Sequence, residues 1–234
     1  MLNKIFIFIS LWSLSFAQTG MDIFYLFDIS GSYHDDVLEK AVNFSEDFHY
    51  HISGSDQQEY LFPQKHMLSV IDEFSLQGDP CLNVIEATKK GAFIRTKKIK
   101  NDKFSSECLK TVLDSEPANN TDIYGGVLYA QNSLDFPKRR KALIVFSDFK
   151  DYPAQRMQNI IDSIDLKDIA VFLIWSDTNI KKGGAQSKKL SKEFKKFAQE
   201  RNALDVKVYS LNSMLYDSSA LREFSNTLKK VSKN

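Results

Sequence analysis

Three runs of this chain are apolar at every position: residues 23–27 (Ile-Phe-Tyr-Leu-Phe), 142–146 (Ala-Leu-Ile-Val-Phe) and 169–175 (Ile-Ala-Val-Phe-Leu-Ile-Trp). A strand with one wet face alternates apolar and polar residues. A run without alternation suits a strand covered on both faces, as in a parallel sheet between helices. Residues 67–74 and 206–211 read as two further strands. Between them lie segments with apolar residues at three- and four-residue spacing: 34–51, 104–113, 121–130, from Pro153 to about Leu166, 186–202 and 218–231. Strands alternating with helices predict a doubly wound α/β fold with a mostly parallel, Rossmann-like central sheet and helices on both faces.

The first apolar run ends in Asp28, Ser30 and Ser32, three oxygen-bearing side chains at alternate positions with Gly31 between the serines. In open α/β sheets the carboxyl ends of strands form the binding crevice. Hard cations such as Mg²⁺ take oxygen ligands and keep several waters. Alone, D-x-S-x-S equally suits a turn or a helix cap. A second run supplies a partner, because residues 142–146 lead into Ser147 and the acid Asp148. Thr121 precedes a helix carrying Gly125 and Gly126, whose small size allows close approach to the sheet. Its hydroxyl is either an N-cap or a third oxygen facing the same crevice.

As a set, Asp28-x-Ser30-x-Ser32, Thr121 and Asp148 resemble the metal-ion-dependent adhesion site of the von Willebrand factor type A (vWA) family. The resemblance covers the chain from about Asp22 to its end and implies a single vWA-like domain over residues 18–234. It implies that Ser30 and Ser32 ligate Mg²⁺ (or Mn²⁺) directly, and Thr121 directly or through water. Asp28 and Asp148 would act mostly through bound waters and hydrogen bonds to the serines. The remaining position would be left for an Asp or Glu of a partner protein. Two carboxylates balance a divalent charge, and neutral hydroxyls leave room for one more carboxylate. A dedicated Ca²⁺ cage would carry more acids. Glycine often follows the final acid in the family; here Phe149 does, which is expected to reshape the loop beside the metal. Tyr33 and Tyr152 either rim the crevice or are partly buried.

Residues 1–17 form a short basic start, a 12-residue apolar run and the small residues Ser15 and Ala17 at the cleavage-recognition positions. This is a signal-peptide pattern, too short to span a membrane, and it predicts a periplasmic or secreted protein with no membrane span after cleavage. Formal net charge is +1. Without a basic excess, nucleic acid is not an expected partner. In an oxidising compartment Cys81 and Cys108 are expected to form a disulfide, the alternative being two separate buried thiols. Their number and spacing do not suit zinc. His49 and His51 do not face each other on a helix and are expected to face solvent.

A hydrolase is not expected, and no catalytic residue is assigned. The G-x-S-x-G elbow is absent, and His34, the one base near Ser32, belongs to the first helix. Two functions remain: a metal-dependent protein-binding module, and a metal-independent scaffold or assembly factor in an envelope complex.

Overall fold

Backbone pairing joins the apolar runs into one five-stranded sheet. It consists of β1 (Met21–Asp28), β2 (Gln64–Ile71), β3 (Arg140–Ser147), β4 (Ile169–Trp175) and β5 (Asp205–Ser210). The order is β2-β1-β3-β4-β5, and every neighbouring pair is parallel. The protein is represented by a computed structural model describing residues 21–33, 36–53, 64–71, 108–134, 139–151, 158–176 and 185–233. Seven helices are described: α1 (Asp36–Ser53), α2 (Leu109–Leu113), α3 (Ile123–Ser133), α4 (Gln158–Asp162), α5 (Ala185–Glu200), α6 (Leu211–Tyr216) and α7 (Ser218–Lys233).

The sheet is buried on both faces, as its unbroken apolar runs require. Ile23, Tyr25 and Phe27 of β1 pack on one side with Ile144, Phe146, Phe172 and Ile174, beneath α1, α6 and α7. Phe24 and Leu26 point the other way, with Leu143, Val145, Val171 and Leu173, beneath α3 and α5. The period-two alternation of each strand thus feeds two cores rather than a core and a wet face.

The two glycines of α3 serve different needs. A Cβ on Gly126 would come within 3.2 Å of Leu26 and 3.3 Å of Ile71, so this glycine sets the approach of α3 to the sheet. A Cβ on Gly125 would lie 2.0 Å from the Asp122 carboxylate. That carboxylate caps the helix by accepting the Gly125 N–H at 2.8 Å. Asp122, not Thr121, is therefore the N-cap. At the start of α7, Asp217 Oδ1 accepts both the N–H and the hydroxyl of Ser219.

Other boundaries also differ from expectation. Strand β2 starts at Gln64, three residues before the predicted start, because it pairs with β1 from Met21 onward whatever its side chains are. Residues 206–211 give way to β5 followed directly by α6, a helix that the apolar pattern does not separate from the strand. The helix predicted from Pro153 to Leu166 is described as Gln158–Asp162; residues 152–157, including Pro153 and Tyr152, lie outside the described residues. So do residues 1–20 with the predicted signal segment, His34, residues 72–107 with Cys81, and residues 177–184. Cys108, buried just before α2, is disulfide-bonded. Among the described residues no helix is long and apolar enough to cross a membrane.

The expectation for His49 is overturned. It is fully buried, and its ring stands edge-on to that of His66, with centroids 4.3 Å apart. His66 Nδ1 lies 3.2 Å from the Tyr25 hydroxyl. Burial first, and His49 second, push the His66 imidazole well below its ordinary value. In the unfolded chain it titrates near the ordinary value of about 6.5. Below that pH the unfolded chain binds a proton that the folded chain refuses, so stability falls with pH. The His66 contribution should be a loss of up to about 2 kcal/mol between pH 7 and pH 5. Urea unfolding at both pH values should show a smaller loss for His66→Gln than for wild type.

Candidate metal centre

The strand order reverses direction between β1 and β3, with β2 built outward from one and β4 from the other. In such sheets the crevice opens beyond the carboxyl ends of the strands flanking that switch point. Asp28 ends β1, and Ser147 with Asp148 ends β3, so the topology sets the two acids side by side. Both carboxylates are fully buried.

A turn after β1 presents the serines. The Ser30 N–H donates to Asp28 Oδ1 at 2.8 Å, and the Tyr33 N–H closes the turn on the Ser30 carbonyl at 2.8 Å. Ser30 Oγ and Ser32 Oγ are 3.3 Å apart. The Ser32 hydroxyl donates to Asp148 Oδ2 at 3.0 Å. From β3, the Ser147 hydroxyl donates to Asp28 Oδ2 at 2.6 Å while accepting the Phe149 N–H at 2.8 Å. Hydrogen bonds therefore tie the two strand ends together through Asp28, Ser32, Ser147 and Asp148, with Ser30 beside Ser32.

Thr121 enters from a third segment. Ala118 exchanges backbone hydrogen bonds with Ile29 and Gly31, both at 2.9 Å, which docks the 118–122 loop on the serine turn. The Ile123 N–H donates to Asp151 Oδ1 at 3.1 Å, which docks its other end on the loop after β3. Thr121 sits buried between these ties, but hydrogen-bonds none of the other four residues. The structure thus connects four of the five candidates directly and brings the fifth by its loop.

Two residues of this site were not assigned a role from sequence. Ser147 orients Asp28 and anchors the next turn. Lys150 places its ammonium 2.6 Å from Asp148 Oδ2 and donates its backbone N–H to Oδ1 at 3.0 Å. The available signal was a serine beside one carboxylate and a lysine two residues after it. Phe149 does not simply break the loop: it adopts φ 61°, the left-handed conformation open to glycine. For a bulky residue such a backbone costs about 1–3 kcal/mol. Burial of the ring against Phe194, with centroids 5.8 Å apart, offsets that cost.

Burial, opposed by hydrogen bonds from Ser147 and Ser30 and reinforced by Asp148, raises the Asp28 carboxyl from 3.8 to about 6. Tyr33 is fully buried, neither rim nor half-covered, and its hydroxyl has no hydrogen-bond partner among the described residues. Burial, Asp28 and Asp148 together hold that phenol well above its ordinary value, so it stays protonated. Two buried acids and an orphaned hydroxyl beside them are chemistry that a hydrated cation would satisfy.

The oxygen donors are of the kind a hard divalent cation takes. Oxygens at about 2.1 Å from a common octahedral ion stand about 3 Å from their neighbours. The Ser30–Ser32 separation of 3.3 Å is of that size. Among the described residues no three His, Cys, Asp or Glu side chains form a metal-holding group. A site here would draw on hydroxyls and water as well as its two acids.

No family model and no curated protein sequence matches this chain. Solved structures do resemble it. One is BatB from Bacteroides thetaiotaomicron, a conserved hypothetical protein, at 13% identity and TM-score 0.53, covering 92% of this chain and 100% of that one. Another is the pilus adhesin SpaC from Lactobacillus rhamnosus GG in its open conformation, at 12% identity and TM-score 0.52, covering 92% of this chain and 30% of that one. At such identities the likeness concerns the fold, which is vWA-like.

Proposed function

We propose that this vWA-like chain is an exported protein-binding module that engages a partner carboxylate through a divalent cation, Mg²⁺ or Mn²⁺. Ser30, Ser32 and Thr121 would hold the ion. Asp28 and Asp148 would balance its charge through bound waters and their hydrogen bonds to the site. One position would remain for an Asp or Glu of the partner. When bound, the ion supplies a focused positive charge that an acidic side chain can reach.

The observation that carries this reading is the hydrogen-bonded set at the switch point. Two buried carboxylates close enough for Asp148 to raise the Asp28 carboxyl lie there, which folding alone does not reward. Hydroxyls of Ser30, Ser32 and Ser147 surround them. His49 and His66 are buried against each other near the start of β1 and β2, so neither serves as a base at Ser30 or Ser32. The disulfide state of Cys108 supports an oxidising compartment and hence export, with Cys81 as its expected partner. SpaC, a pilus adhesin, uses a fold of this kind as part of a longer chain.

A metal-independent scaffold is the second reading, favoured by one observation. Lys150 already gives Asp148 a counter-charge, so the fold stands without an added ion.

Water-proton relaxation with Mn²⁺ separates the two. A bound ion that keeps exchangeable waters should raise the relaxation rate above that of free Mn²⁺. Acetate, or a short peptide bearing one glutamate, should then lower it by displacing a water. A rate that stays at the free-ion value as protein is added would leave the scaffold reading.

A further inference from the structure

A cation of the chain itself contacts one of the two buried acids. Lys150 Nζ contacts Asp148 Oδ2, the same oxygen that accepts the Ser32 hydroxyl. The ammonium therefore sits on the side of Asp148 that belongs to the candidate metal site. Its side chain is 24% exposed, whereas that of Asp148 is fully buried. The lysine can leave toward solvent; the acid cannot.

We infer that Lys150 sets the metal affinity of this site by acting as its resident cation, which a divalent ion must displace. The inference rests on the metal-dependent reading given above. An ammonium and a hydrated divalent ion cannot both lie against the Asp148 carboxylate without like-charge repulsion at close range. Exit of the side chain leaves the loop in place, because the Lys150 N–H still holds Asp148 Oδ1 and Asp151 still accepts the Ile123 N–H. A destination also exists. An open cavity of about 370 Å³ lies beside the loop, lined by Lys150, Asp151 and Glu193 together with Phe149 and Phe194. Its two acids suit a displaced ammonium.

Thermal unfolding of wild type and Lys150→Met, each with chelator and across Mg²⁺ and Mn²⁺ titrations, tests this. Methionine keeps the apolar stem and removes the charge. In chelator, Lys150→Met should unfold at a lower temperature, because Asp148 loses its counter-charge. With metal, its unfolding temperature should rise at about tenfold lower ion concentration than wild type requires. Equal stability of the two proteins in chelator overturns the inference. So does a wild-type metal response whose midpoint the substitution leaves unchanged or moves to higher concentration. A substitution that destabilises in chelator, with no metal response in either protein, overturns the metal-dependent function itself and leaves Lys150 as a structural ion pair.

Discussion

Asp28→Asn should make the metal-free protein more stable, by about 1–3 kcal/mol at pH 7.5. The carboxylate is fully buried, and a second carboxylate, Asp148, lies across the same site. Its proton affinity is raised to about 6, so the folded chain holds that proton more tightly than the unfolded chain. The charge therefore costs stability above pH 6, and the cost fades as pH falls toward 3.8. Asparagine keeps one contact and reverses the other, and the Ser147 hydroxyl proton that loses its acceptor takes back part of the gain. Its carbonyl can accept the Ser30 N–H, and its amide can donate to Ser147 Oγ, which has a lone pair to spare. A substitution that removes two hydrogen bonds would destabilise instead, so the sign of the effect is diagnostic. Urea unfolding of both proteins in chelator measures it. A loss of stability would mean that Asp28 serves the fold rather than a ligand.

Phe224→Ala should cost more stability than any change at the metal centre, about 3–5 kcal/mol. Phe224 is fully buried on α7 and joins an aromatic group that reaches across the sheet. Its ring lies 4.7 Å from Phe48, 5.0 Å from Phe172, 5.4 Å from Tyr209 and 6.1 Å from Phe44, centroid to centroid. Those partners come from α1, β4 and β5, so one cavity would loosen four elements together. Edge-on pairs of this kind add to the area they bury. Tyr216→Ala, at a residue 79% exposed, is the control and should change stability by less than about 0.5 kcal/mol. A denaturant midpoint that barely moves for Phe224→Ala would mean that α7 contributes little to the closed core.

The strands that form the middle of the sheet were legible because burial on both faces leaves an unbroken apolar run. Residues 169–175 were predicted with the bounds that β4 has. Strand β2 was harder, since Gln64, Lys65 and His66 open it without an apolar run, and their backbone pairs with β1 all the same. His49 was misread for a related reason. A helix period shows which face a histidine occupies, but not that β2 brings His66 against it in the core. At the site, Asp28 and Asp148 could be placed from sequence because each follows an apolar run, and strand ends at a switch point converge. For Thr121 the sequence leaves two roles open, cap or crevice oxygen, and the structure gives the cap to Asp122, one residue on. Nothing in the spacing marked Lys150 as the counter-ion of Asp148, because a lysine two residues beyond an acid usually faces water. The turn at Phe149 curls the loop back so that the ammonium meets the carboxylate.

The central claim is that the oxygens at the switch point hold a divalent cation, and direct titration of Mg²⁺ and Mn²⁺ into wild type and Asp28→Asn by calorimetry tests it. The account predicts one ion bound per wild-type chain and no binding by the asparagine variant, although that variant is folded and more stable in chelator. Equal heats from the two proteins, or no binding by wild type at millimolar metal, would contradict it.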